Sequence, residues 1–160
     1  MLTNSGLNEK VTQDTINYYN ARSQSAGMVI VEYTSVSPNG GPSRSWAPDR
    51  EQLAIYDNSF VPGFKKIAEK LKKDGNKAIL QLVHSGRESQ YRYAFGGQVE
   101  VPSNIDFPWI SYPLHELSED EVWPFVKDFG TATKRAIASG FDGIEIHGAN
   151  HYLHQEFFSA

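Results

Sequence analysis

Three times along this chain a helical pattern ends in glycine and a short β-rich run follows at once. That recurrence limits the fold more than any other feature. The joints are Ala26-Gly27 before a run over 28–33, Asp74-Gly75 before Lys77–Val83, and Ser139-Gly140 before a run over 143–147. Glycine just past a helix end supplies the left-handed residue that turns the chain back. The runs that follow are largely apolar, as strands covered on both faces must be. Alternating helix and strand without hairpin signals predicts three parallel strands, adjacent in chain order and joined by right-handed crossovers.

The helices carry their own patterns. In the second, Phe60, Phe64, Ile67, Ala68 and Leu71 recur at three and four, giving one apolar stripe. In the third, Ser118 and Glu121 have the spacing of a capping box, and Val122, Phe125, Val126, Phe129 and Ala136 form the expected buried face. Pro124 interrupts it, since a proline ring clashes with the carbonyl four residues back; the helix is expected to begin near Pro124 or to be distorted in its first turn. The first helix is expected over 12–25, from a Thr12 cap. Two long loops, 35–58 and 85–117, follow the first two strands. In βα proteins such loops sit at the carboxyl ends of the strands, where ligands bind.

Composition narrows the function classes. With 39% hydrophobic and 21% charged residues and a net charge of -4, the chain reads as an ordinary soluble domain, with no electrostatic reason to bind nucleic acid or an anionic membrane. Its 0 cysteines exclude disulfides, thiolate catalysis and Cys-based metal sites. The apolar runs are far short of a membrane span and residues 1–10 do not look like a signal peptide, so a cytoplasmic address is expected.

Polar residues cluster where the predicted strands end. The first run ends Val31-Glu32-Tyr33-Thr34 and the second Gln81-Leu82-Val83-His84-Ser85-Gly86-Arg87; the third reads Ile144-Glu145-Ile146-His147-Gly148-Ala149-Asn150-His151-Tyr152. Alternate strand residues share a face, so Glu145 and His147 point one way and Ile144 and Ile146 the other. Plainer readings stand beside a pocket: Glu32 and Glu145 as buried carboxylates paired with Arg22 or Arg87, Gln81 as a bonded core amide, His84 as structural, Tyr152 as a packing residue. His147, His151 and His154 also form an H-x3-H-x2-H array, but the zinc-protease pattern needs Glu after the first His, where this chain has Gly148. No metal is expected.

The run from Gly140-Phe141-Asp142-Gly143-Ile144-Glu145-Ile146-His147-Gly148-Ala149-Asn150 to Phe157-Phe158-Ser159 closely resembles the fourth-strand motif of the Old Yellow Enzyme (NADH:flavin oxidoreductase) family. Gln81-Leu82-Val83-His84-Ser85-Gly86-Arg87 resembles its third-strand motif, Val31-Glu32 with Val36-Ser37-Pro38-Asn39-Gly40 its second-strand segment, and Pro102-Ser103 a pair in its third loop. The resemblance implies a TIM (β/α)8 barrel holding FMN at the carboxyl ends of its strands and passing hydride from NADH or NADPH to an activated alkene. It implies that His147 and Asn150 bond the substrate's carbonyl oxygen, that Tyr152 is the proton donor, and that Gln81 reads the pyrimidine edge of the flavin; His147 and Tyr33 also fall beside the cofactor.

Two departures stand out: Tyr33 where relatives have a small residue, and His151 where they have Gly. The resemblance covers about strands two to four, so residues 1–160 are expected to be one partial barrel domain, incomplete at both ends. Such a domain would bind FMN weakly or not at all alone and self-associate to cover its edges. Two other classes remain at this stage: a metal-dependent barrel hydrolase using the His array, and a non-catalytic barrel remnant acting as an interaction module.

Overall fold

The computed structural model describes residues 2–41, 51–89 and 96–159. Helix α1 (Gln13–Asn20) leads into strand β1 (Met28–Ser35), and helix α2 (Val61–Lys72) into β2 (Lys77–Val83). The loop after β2 contains a short parallel pair, β3 (Glu100–Val101) with β4 (His115–Glu116). Helix α3 (Glu119–Ala138) then leads into β5 (Gly143–Ile146), and a last short helix, α4 (Leu153–Phe158), follows. Strands β1, β2 and β5 form one parallel sheet in that order, as the repeated helix–glycine–strand unit predicts.

Register divides the sheet into two faces. Leu80 lies between Val31 and Ile144, and with Ala78 and Leu82 it makes a face packed on Phe64, Ile67 and Leu71 of α2. The α2 stripe is buried as its spacing predicts; each such side chain contributes about 1.5–3 kcal/mol through the water it sheds. The other face carries Ile30, Ile79, Gln81 and Glu145, all partly open to solvent.

Several expectations need correction. Gly75 and Gly140 are left-handed, at φ 89° and 90°, but Gly27 is not. Helix α1 stops at Asn20, five residues before the expected end, and turns replace it. There the Ser23 hydroxyl bonds the Asn20 carbonyl at 3.0 Å and Asp74 at 3.2 Å, the competition with helix that Ser and Asn favour. Helix α3 begins at its capping box and runs through Pro124 rather than starting there. Its buried face holds only Phe129, Ala132 and Ala136. Val122 and Phe125 are half-buried and Val126 is exposed. With Ile146, Leu153 and Phe158 they line an open apolar groove of about 470 Å³.

Candidate active site

The parallel register places Gln81 beside Glu145, and the Gln81 amide donates to the Glu145 carboxylate. The plainer reading of Glu145 as a carboxylate paired with an arginine is therefore not what the fold provides. Glu32 is not paired with Arg22 or Arg87 either. It accepts from the Thr3 backbone and hydroxyl, both at 2.5 Å, and from the Tyr19 hydroxyl at 3.3 Å, while burial pushes its carboxyl up. Arg22 lies over the Tyr18 ring instead, and Arg87 lies over Phe107 beside Glu156.

A register shift between Val31 and Thr34 adds one residue to β1. Such a bulge re-aims side chains, and here it sends Tyr33 to the same side as Val83 and Tyr152, with which it packs. His147 extends the β5 ladder by one bond, its N–H reaching the Leu82 carbonyl at 2.9 Å. Its ring lies edge-on to Tyr33, with centroids 5.6 Å apart, and 4.8 Å from the Tyr152 ring. The Tyr152 hydroxyl donates to the Tyr33 hydroxyl at 3.4 Å. Tyr33, His147 and Tyr152 thus form one buried cluster at the carboxyl ends of β1 and β5.

The proton on His147 can be placed. Nδ1 accepts the Ala149 N–H at 3.3 Å, and burial pushes the imidazole below its ordinary pKa, so the neutral ring carries its proton on Nε2. The Asn150 amide nitrogen lies 3.5 Å from that Nε2, which sets two N–H donors side by side. The turn that does this is strained: Asn150 and His151 both sit at φ 59°, in the left-handed region. The His-for-Gly departure at 151 falls where positive φ is required. Gln81 shares the sheet end with this cluster, but its partner is Glu145, two residues before His147.

The remaining candidates separate. His84 is fully buried, its Nδ1 accepting the Gly86 N–H at 3.2 Å, with Phe125 edge-on at 4.9 Å, a structural placement. Of the His array, His147 is in the cluster, His151 is exposed, and His154 packs edge-on to Phe129 at 4.6 Å. Among the described residues no group of three or more His, Asp or Glu is placed to hold a metal. A neighbouring group gave little sign of itself in the sequence. Buried Glu156 accepts the Arg87 backbone N–H at 2.9 Å, and Tyr112 donates to the Arg87 carbonyl at 2.5 Å. No local signal links Arg87 with a residue on α4; a glycine at 86, where a side chain would collide with Glu156, is the only trace.

The chain as a whole is similar to known proteins. The model of the NADH:flavin oxidoreductase / NADH oxidase family matches residues 1–160. The chain is 40% identical over 149 residues to the probable NADH-dependent flavin oxidoreductase YqiG of Bacillus subtilis (strain 168), covering 93% of this chain and 38% of that protein. It is 40% identical over 156 residues to the NADH:acrylate oxidoreductase of Vibrio harveyi, covering 93% of this chain and 14% of that one. Among solved structures, morphinone reductase superposes with a TM-score of 0.79 at 27% identity, over 96% of this chain and 43% of its own. The chain thus spans well under half the length of these relatives. Its parallel βα arrangement is that of part of a (β/α)8 barrel.

Proposed function

This chain belongs to the NADH:flavin oxidoreductase / NADH oxidase family, and from that premise we propose that the protein carrying it is an FMN-dependent oxidoreductase passing hydride from NADH or NADPH to an activated alkene or similar electrophile. The observation that carries this reading is the cluster of His147, Asn150 and Tyr152 at one strand end, beside Gln81. Residues 1–160 are read as part of a single barrel domain.

The donor set fits a flavin. Gln81 and Asn150 offer amides that both donate and accept, His147 is held neutral by burial, and no lysine or arginine among the described residues bonds to these groups. Neutral, two-way donors suit a heteroaromatic ring whose edge alternates donors and acceptors. Gln81 would hold the pyrimidine edge of the FMN ring, with Tyr33 and His147 beside it. When bound, FMN supplies the two-electron redox chemistry that links nicotinamide to substrate.

The residues of the chain do the rest. His147 Nε2 and the Asn150 amide both reach one substrate carbonyl oxygen, and their bonds strengthen as that oxygen becomes enolate-like. The Tyr152 hydroxyl is the general acid that delivers a proton to the substrate carbon. The shared aromatic packing of Tyr33, His147 and Tyr152 fixes the three rings relative to one another. We place the protein in the cytoplasm, where reduced nicotinamide is available; no helix among the described residues is long and apolar enough to cross a membrane. Self-association across the groove beside α3 is also proposed, supported by exposed Val126 and Phe158.

Half-reactions measured separately test the assignment. Tyr152→Phe should slow reoxidation by an alkene ~10²–10⁴-fold while flavin reduction by NADH or NADPH stays nearly intact. His147→Ala or Asn150→Ala should weaken enone binding as well as turnover. Equal slowing of both half-reactions by Tyr152→Phe would show that its hydroxyl has another task.

A further inference from the structure

Tyr33 is the large side chain in this cluster that the proposed mechanism leaves without a chemical task. The β1 bulge turns it into the site, where it is 7% exposed, and it touches both His147 and Tyr152. We propose that the Tyr33 hydroxyl is a positioning group for the Tyr152 phenol, holding it in the resting enzyme and donating to its oxygen as the proton leaves. This inference rests on the reading of Tyr152 as the proton donor.

The geometry supports a contact that changes strength during the reaction. At 3.4 Å the two hydroxyl oxygens are farther apart than the 2.7–2.8 Å typical of O–H···O bonds, so the resting bond is weak. The rings are tilted at 54° with centroids 5.6 Å apart, and Tyr152 is 9% exposed, so water has little access to compete. In the transfer, the Tyr152 O–H bond breaks and its proton goes to the enolate-like substrate carbon, while the bonding pair stays on the phenol oxygen. Tyr33 then reverses its role from acceptor to donor. An O–H···O⁻ bond contracts to about 2.5–2.7 Å and is roughly twice as strong as its neutral counterpart. The pair therefore stabilises the charge that develops rather than the resting state, which is the condition for accelerating a step. Tyr152 afterwards regains its proton from water. His147 takes part through packing alone: with its ring edge-on to Tyr33, at 88°, it prevents the Tyr33 ring from swinging away.

Tyr33→Phe keeps the ring and removes only the hydroxyl, so it separates this task from packing. The test uses the full FMN-loaded protein, labelled with ¹³Cζ-tyrosine, as wild type, Tyr33→Phe, Tyr152→Phe and the double variant. The Tyr152 Cζ resonance, assigned by its loss in Tyr152→Phe, should be displaced in Tyr33→Phe. The alkene half-reaction should slow about ten-fold in Tyr33→Phe, the low end for a hydrogen bond to a charged group. It should not slow further when Tyr33→Phe is added to Tyr152→Phe. An unmoved resonance with an unchanged rate would reduce Tyr33 to a packing residue and overturn the proposal. Equal slowing in both backgrounds would overturn it too, because Tyr33 would then act independently of Tyr152. If Tyr152→Phe alone left the alkene step at full rate, the proton-donor reading itself would have failed, and this arm reports that separately.

Discussion

Exchanging Glu156 for glutamine removes a charge that the fold accommodates poorly. Glu156 is 8% exposed, its Oε1 accepts one backbone N–H from Arg87, and its Oε2 has no hydrogen-bond partner among the described residues. The Arg87 Nε is 4.0 Å away, too far for a hydrogen bond, and has no such partner of its own there. Burial therefore outweighs the attraction of the guanidinium, and the carboxyl is pushed up to about 7 from 4.5. A raised pKa in the fold means that the folded state prefers the protonated form. The stability this contributes is fully present below pH 4.5 and is lost as pH climbs to about 7. The gap of roughly 2.5 pH units corresponds to about 3 kcal/mol, as an order of magnitude. The substituted amide would keep the acceptor for the Arg87 N–H and have nothing to ionise. Urea unfolding of wild type and Glu156→Gln at a series of pH values from about 5 to 8 is the assay, because the titration of all other groups cancels in the difference. The variant should gain on wild type from about pH 5 to about 7, by up to ~3 kcal/mol, and then level off. A difference that stays constant across the series would show that Glu156 ionises in the fold as it does in the unfolded chain.

Two further expectations concern the backbone. His151→Gly should stabilise the protein by about 1 kcal/mol in the same unfolding assay, because glycine relieves a left-handed position at φ 59°; a loss of stability would show that the imidazole repays the strain. Gly40→Ala should destabilise by about 1–3 kcal/mol, because a Cβ there would lie 2.6 Å from the fully buried His84 ring and 2.9 Å from Ser37 Oγ. Unchanged stability would mean that His84 is free to shift.

Much of this fold was legible in the chain because its signals are local. Gly75 and Gly140 mark true helix ends, and the α2 spacing names the side chains that cover the sheet. The end of α1 was not legible, because Ser23 and Asp74 settle it through a contact between distant residues. The half-exposed face of α3 escaped for a related reason: apolar periodicity says which side of a helix is greasy, not how much of it the fold covers. In the site, the strand-end positions of Gln81, His147 and Tyr152 followed from the pattern. Their partners did not. Gln81 meets Glu145 through the register of two strands, and Tyr33 reaches Tyr152 only because β1 carries an extra residue. Charge alone suggested arginine partners for Glu32 and Glu145, where the fold uses a phenol, a threonine and an amide.

The central claim, that this strand-end cluster serves a flavin oxidoreductase, is tested most directly by the visible spectrum of the full protein under anaerobic conditions. Oxidised flavin bands should bleach on addition of NADH or NADPH and return when an α,β-unsaturated carbonyl compound is added. In Tyr152→Phe they should bleach at nearly the wild-type rate and return far more slowly. A purified protein that takes up no flavin, or whose flavin bleaches but is not restored by any activated alkene, would contradict that claim.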